Sequence, residues 1–196
     1  MIDSRPDAPE NPDAPDASGT LGALNALRAR KISTKRLILR PFTRDEVDAV
    51  VLGRRLGHFT EDFPTPDARD LLESVAESGE FFFTETFYSP LACIERETNQ
   101  IVGVGGFMAP PIDEALEIVA FLVPSRAGRR YGREALGPLV RLGFEDPRVR
   151  RVRASVPTEA DALARLLQEV GFHRVDTPGL EIEYQIGRGQ PVLPEA

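Results

Sequence analysis

The sequence predicts an α/β domain of the mixed kind, one sheet with helices on its faces, and three observations carry that prediction. Strand-like and helix-like patterns alternate along most of the 196 residues, in the order strand, two helices, hairpin and strand, helix, strand, helix, hairpin. The helices begin and end at residues that cap helices. The segment 115–170 runs strand, helix, strand, helix, where parallel strands are expected. A chain of this length buries one substantial core, hiding about 70% of the surface that the unfolded chain exposes.

The domain opens at 32–41, where Leu37 and Leu39 alternate with Arg36, Ile38 and Arg40 before Pro41 ends a first strand. Thr43 followed by Glu46 is a capping box, and Val47, Val50, Val51 and Leu52 continue it as a helix. Pro66 at a first-turn position, with Leu71, Leu72 and Val75, marks a second helix ending near Gly79. Residues 80–90 stay open between strand and buried helix, because periodicity does not decide for the run Phe81-Phe82-Phe83. Residues 91–95 and 101–108 flank the polar turn Glu97-Thr98-Asn99-Gln100 and form a hairpin. Residues 115–123 make a strand with Glu117, Val119, Phe121 and Val123 on one face. Ala135, Leu136, Leu139, Val140 and Phe144 describe an amphipathic helix. Residues 149–156 return as a strand, with Val152, Ala154 and Val156 opposite Arg151, Arg153 and Ser155. The last helix runs from Ala160 to Val170 and closes at Gly171. Residues 173–176 and 180–187 flank Thr177-Pro178-Gly179, a type II turn, as a closing hairpin.

Outside this domain, residues 1–19 repeat Pro-Asp-Ala and offer a core only Ile2, so they read as a disordered acidic tail. Residues 20–31 read as a short helix or linker, with Leu21, Leu24 and Leu27 set to dock on the domain or on a neighbour, which leaves a homodimer open. The domain is taken as 32–187 and residues 188–196 as a C-terminal tail. Of the net charge of -7, residues 1–20 hold five acids and one arginine, or -4, leaving only -3 on the rest. Such a balance argues against broad nucleic-acid binding, though local arginine clusters at 126–133 and 148–153 survive that objection. No apolar run approaches the roughly 20 residues that span a bilayer. The start, Met-Ile-Asp-Ser-Arg-Pro, lacks the basic and apolar parts of a secretory signal, so a cytoplasmic location is expected. Cys93 is the one cysteine and sits in an apolar stretch, where packing is its role. His58 and His173 stand apart, and no spacing resembles a metal site. Gly103-Val104-Gly105-Gly106 reads as a closely packed strand and not a dinucleotide loop, because Met108-Ala109-Pro110-Pro111 follows where a helix would begin.

The segment that carries chemistry is the turn from Val123 to Leu136. A helix N-terminus presents unpaired N–H groups and about half a positive charge, which suits a phosphate or pyrophosphate. Arg126, Arg129, Arg130 and Arg133 stand beside it, and Gly128 and Gly132 leave the backbone open to a ligand. The plainer reading is a solvated helix start.

At these residues the stretch 115–172 resembles the acetyl-CoA-binding half of the GNAT superfamily, in its RimJ/RimL-like N-acetyltransferase subgroup. The strand Thr34-Lys35-Arg36-Leu37-Ile38-Leu39-Arg40-Pro41-Phe42 resembles the family's opening pattern, and Leu166-Leu167-Gln168-Glu169-Val170-Gly171-Phe172 the end of its last helix. The resemblance covers about 32–187. It implies a mixed, mostly antiparallel twisted sheet of six to seven strands with about four helices. It also implies acetyl-CoA as co-substrate, held by Phe121, Leu122, Val123, Gly128, Arg129, Arg130, Tyr131, Gly132 and Arg133. The family's Arg/Gln-x-x-Gly-x-Gly/Ala loop falls on Ala127, Arg130 and Gly132, of which only Gly132 conforms. Where the last helix usually has an asparagine and then a serine, this chain has Ala160 and Leu163, and residues 157–172 lack the tyrosine that serves many members as an acid. Tyr184 is available as an acid but reads better as a packed aromatic.

The activity implied is N-acetylation of a primary amine, on a small molecule or a peptide or protein N-terminus, by direct attack on the thioester. Glu117 is the candidate general base, and a backbone N–H near Phe121 would polarise the carbonyl. The plainer reading of Glu117 is a strand carboxylate paired with arginine. The alternative function is a catalytically degenerate GNAT-like binding or regulatory module. No motif in 43–90 or 173–187 names the acceptor.

Overall fold

The computed structural model describes residues 31–78, 88–175 and 181–193. The acidic tail, residues 21–27, the run Phe81-Phe82-Phe83 and the turn Thr177-Pro178-Gly179 lie outside the described residues. The chain forms strands β1 (Ile32–Ser33) and β2 (Leu37–Pro41), helices α1 (Arg44–Val51) and α2 (Pro66–Glu77), and strands β3 (Leu91–Glu95), β4 (Gln100–Phe107) and β5 (Ala115–Leu122). After a single 3-10 turn at Pro124–Arg126 come α3 (Tyr131–Gly143), β6 (Arg151–Pro157), α4 (Asp161–Val170), β7 (His173–Val175) and β8 (Glu181–Gly187).

All eight strands join one sheet in the order β1-β2-β3-β4-β5-β6-β8-β7. Among the described strands, β5 and β6 are the one pair that runs parallel, as expected for strands joined through a helix. The segment expected as one opening strand is two, which accounts for the eighth. Thr34 makes the break: its N–H donates to Leu37 O at 2.9 Å and its Oγ1 accepts from Leu37 N at 3.0 Å, folding β1 back so that Ile32 faces Leu39. The closing hairpin is present, with β8 inserted between β6 and the edge strand β7.

The alternation in β2 works as its residues require. Leu37 and Leu39 are fully buried, whereas Arg36, Ile38 and Arg40 stay partly exposed. The capping box forms with both of its hydrogen bonds, Thr43 Oγ1 accepting from Glu46 N and Glu46 Oε2 from Thr43 N at 2.8 Å. Arg40 then grips Glu46 with two nitrogens at 2.8 and 2.6 Å, fixing α1 to the sheet. Helix α3 sends Leu136, Leu139 and Val140 into the core, and each fully buried leucine contributes about 2 kcal/mol. The packed unit extends past Gly187 to residue 193. Arg188 donates to the carbonyls of Val149 and Asp146 and lies over the Phe144 ring, and Leu193 N donates to Val170 O.

Candidate active site between two parting strands

Strands β5 and β6 pair over only three positions, ending at Glu117 opposite Arg153. Beyond that point β5 stays with β4 as far as Leu122, while β6 stays with β8 as far as Pro157. Each strand keeps its other neighbour, so the sheet opens between them. The resulting cleft encloses about 580 Å³ of empty space, the open solvent at its mouth included. Its walls are the β5 backbone from Ile118 to Phe121 and the β6 pair Ala154 and Ser155. Its apolar floor comes from α3 and α4, chiefly Leu136, Leu163 and Leu166. Glu117 and Ser155 are the two lining residues with polar side chains.

Backbone polarity in the cleft follows from register. Val123 N donates to Val102 O and Met108 N to Glu117 O, and the pairing between these points is continuous. The odd-numbered residues of β5, Phe121 among them, therefore direct their amides to β4. The amides of Ala120 and Leu122 face the opened side. The N–H group expected near Phe121 is thus not that of Phe121 itself but of a neighbour, because a strand turns successive amides to opposite sides.

Glu117 stands where the strands part, with Oε2 3.4 Å from Arg153 and Oε1 accepting from Ser155 Oγ at 3.5 Å. This carboxylate is paired with arginine and also lines the cleft. Glu117, Arg153 and Ser155 share one face of the sheet, and the cleft opens from the other face beneath the helices. A donor molecule and an acceptor can therefore reach the gap from opposite faces.

The turn before α3 is held by buried carboxylates that the sequence did not reveal. Glu95 accepts from Tyr131 Oη at 2.6 Å, Thr98 Oγ1 at 2.7 Å, Arg126 Nη2 at 3.0 Å and Arg129 Nη1 at 3.4 Å. Burial pushes its pKa up, but these donors outweigh it and hold Glu95 at about 2. Glu134, in the first turn of α3, accepts from Thr34 Oγ1 at 2.5 Å, from Arg36 N at 2.6 Å and from Arg36 Nε at 2.7 Å. These donors likewise overcome burial and lower its pKa. The Arg36 guanidinium lies 4.6 Å from the centre of the Tyr131 ring. The opening Thr-x-Arg pattern thus aims the start of α3.

Of the arginines expected around a phosphate, Arg126 and Arg129 converge on Glu95, and Arg133 reaches Glu169 on α4 at 3.1 Å. Arg130 is exposed and forms the N-cap of α3 with φ 61 and ψ 21, the left-handed conformation that the family's glycine would take freely. Gly128, at φ 74, has open space where a side chain would project. Gly132 lines the cleft, and a Cβ there would stand 2.8 Å from a Leu166 methyl. Phe121 lines the cleft, Leu122 is half-buried and Val123 is buried in the core. Tyr131 is buried on Glu95, and Tyr184 is a packed aromatic in the core. Ala160, where the family has asparagine, leaves α4 without a side-chain cap.

Among the described residues no group of histidine, cysteine or carboxylate side chains could hold a metal, and no helix is long and apolar enough to cross a membrane. The model of the acetyltransferase (GNAT) domain matches residues 36–173. The chain belongs to the GNAT acetyltransferase family. Its fold is similar to RimL, a ribosomal L7/L12 α-N-protein acetyltransferase solved with coenzyme A, at 16% identity and TM-score 0.60 over 81% of this chain and 98% of that one. It is also similar to the ribosomal-protein-S5-alanine acetyltransferase of Vibrio fischeri, at 13% identity and TM-score 0.57 over 84% and 100%. A spermidine N-acetyltransferase SpeG chimera of Vibrio cholerae and hSSAT matches at 12% identity and TM-score 0.57 over 77% and 93%. No curated protein matches the sequence.

Proposed function

We propose that this chain transfers the acetyl group of acetyl-CoA to a primary amine, on a small molecule or a peptide or protein N-terminus, by direct attack on the thioester. The observation that carries the reading is the parting of β5 from β6 beyond Glu117, with the Ala120 and Leu122 amides turned into the gap. An acyl-CoA fits these residues. A narrow apolar slot with one backbone edge suits its pantetheine arm, and the open backbone of Gly128 and the first turn of α3 suit its diphosphate. Arg129, Arg130 and Arg133 supply positive charge there, while Phe121, Leu122 and Val123 shape the edge. The similar folds of a ribosomal L7/L12 α-N-protein acetyltransferase, a ribosomal-protein-S5-alanine acetyltransferase and a spermidine N-acetyltransferase chimera agree with an amine acceptor.

Acetyl-CoA supplies the thioester, and the protein supplies orientation and proton transfer. The amides facing the gap polarise the carbonyl, an effect worth several kcal/mol in a dry site. Glu117 takes the proton that the amine must lose, and Arg153 fixes its other oxygen. Acetyl-CoA is expected to raise the melting temperature by mass action. Glu117→Gln is expected to lower acetylation of a panel of peptide N-termini and spermidine by about 10²–10⁴-fold with acetyl-CoA binding unchanged. Unaltered turnover in that variant removes Glu117 from the mechanism. A second reading, an acyl-CoA-binding module without turnover, is favoured by Ala160 and Leu163 in α4. Binding without release of coenzyme A thiol from any amine in the panel would select it.

A further inference from the structure

The helix side of the cleft offers no group that can hand a proton to a departing sulfur. Its lining from α3 and α4 is Gly132, Leu136, Leu163, Leu166 and Leu167. The family's tyrosine is missing, and Tyr184 is buried in the core, so neither supplies the acid. The opposite wall does carry a hydroxyl. Ser155 follows Arg153 on β6 by two residues, just past the last paired position, and so stands on the same face within the opened part of the gap. Its Oγ donates to Glu117 Oε1 at 3.5 Å, while Arg153 occupies Oε2.

Resting on the acetyl-transfer reading, we infer that Ser155 is a catalytic residue, the proton donor to the leaving thiol group, and that Glu117 and Ser155 form one relay. The amine nitrogen bonds to the thioester carbon and the carbon–sulfur bond breaks. The surplus proton on nitrogen passes to the Glu117 carboxylate. Glu117 passes a proton to Ser155 Oγ as the original hydroxyl proton of Ser155 moves to sulfur. Both side chains end as they began, and the products are an amide and the free thiol of coenzyme A.

The test needs no knowledge of the acceptor. Coenzyme A bound to the full chain is titrated through the ultraviolet absorbance of its thiolate, in wild type, Ser155→Ala and Ser155→Thr. A hydroxyl that donates to sulfur stabilises the thiolate. The bound thiol is therefore expected to titrate about one pH unit higher in Ser155→Ala, a tenfold change in ionisation, and near the wild-type value in Ser155→Thr. With acetyl-CoA and the amine panel, Ser155→Ala is expected to lose at least about 10²-fold in kcat with KM for acetyl-CoA within about twofold. Combined with Glu117→Gln it is expected to be no slower than the worse single variant, because residues acting as a unit are not additive. Ser155 is exposed, so melting temperatures near that of wild type are expected for both variants. Coenzyme A that binds wild type but titrates alike in all three proteins overturns the relay and leaves acetyl transfer standing. Failure of wild type to bind coenzyme A at millimolar concentration overturns acetyl transfer itself.

Discussion

Arg130 shows how a departure from a family pattern can leave the backbone intact. Its left-handed φ of 61 is the conformation a glycine would take, so the turn retains its shape although the residue that eases it is gone. A left-handed L-residue costs roughly 1–2 kcal/mol, and glycine gives back about 0.5–1 kcal/mol through the entropy it loses on folding. Arg130→Gly is therefore expected to raise stability by about 0.5 kcal/mol, measured by urea unfolding. On the proposed acetyl-CoA reading it also removes a cation from the helix start assigned to diphosphate, an effect of about 0.3–1 kcal/mol, so acetyl-CoA affinity should fall about two- to fivefold. Tighter binding in the variant would mean that the side chain obstructs the corner instead of assisting it. The protein partner of the neighbouring arginines was not legible in the sequence for a physical reason. Arg126 and Arg129 answer a buried charge on Glu95, some 30 residues earlier, and charge clustering says nothing about where a partner lies in space.

At the scale of elements, local chemistry was legible and pairing was not. The capping box at Thr43, the proline start of α2 and the glycine end of α4 are written in consecutive residues and form as read. The break between β1 and β2 was hidden because Thr34 looks like a strand residue until its hydroxyl finds Leu37. Likewise the cleft depends on where β5 and β6 stop pairing, which no periodicity encodes, so Ser155 read only as the polar side of a strand. One mark of how the β5 edge is held was visible in the glycine-rich β4. A Cβ on Gly103 would stand 2.2 Å from Phe121 O, so only glycine lets β4 lie this close to β5. The obstacle is backbone, which cannot rotate away as a side-chain end can. Gly103→Ala is expected to cost about 3 kcal/mol in denaturant unfolding and to weaken acetyl-CoA binding by shifting the Ala120 and Leu122 amides. A loss below about 0.5 kcal/mol would show that β4 can move off β5 to make room for a Cβ at Gly103.

Across the whole molecule, the same device fixes both halves of the sheet: a buried carboxylate ringed by donors. Under α1, Glu46 gathers Arg40, the Thr43 amide and His58, which overcome the upward effect of burial and hold it at about 2. Beside α3, Glu95 is held at about 2 by Arg126, Tyr131 and Thr98. Asp146, with Tyr88 and Arg148, is lowered in the same sense against its own burial. A carboxylate whose folded pKa lies below its unfolded value adds stability above the unfolded value, and that stability is lost as pH falls through the folded one. The window for Glu46 and Glu95 therefore runs from the ordinary 4.5 down to about 2. A shift of that size corresponds to about 3 kcal/mol for each group. Stability should be flat from neutral pH to about 5 and then fall steeply with acid. Glu95→Gln should be less stable than wild type at pH 7 and approach it near pH 2, where folded wild type is losing the same charge. Melting curves recorded from pH 7 to pH 2 decide this. If the gap between the two proteins stays constant across that range, the Glu95 charge does not hold the arginine turn against the sheet, and the placement of α3 must come from packing alone.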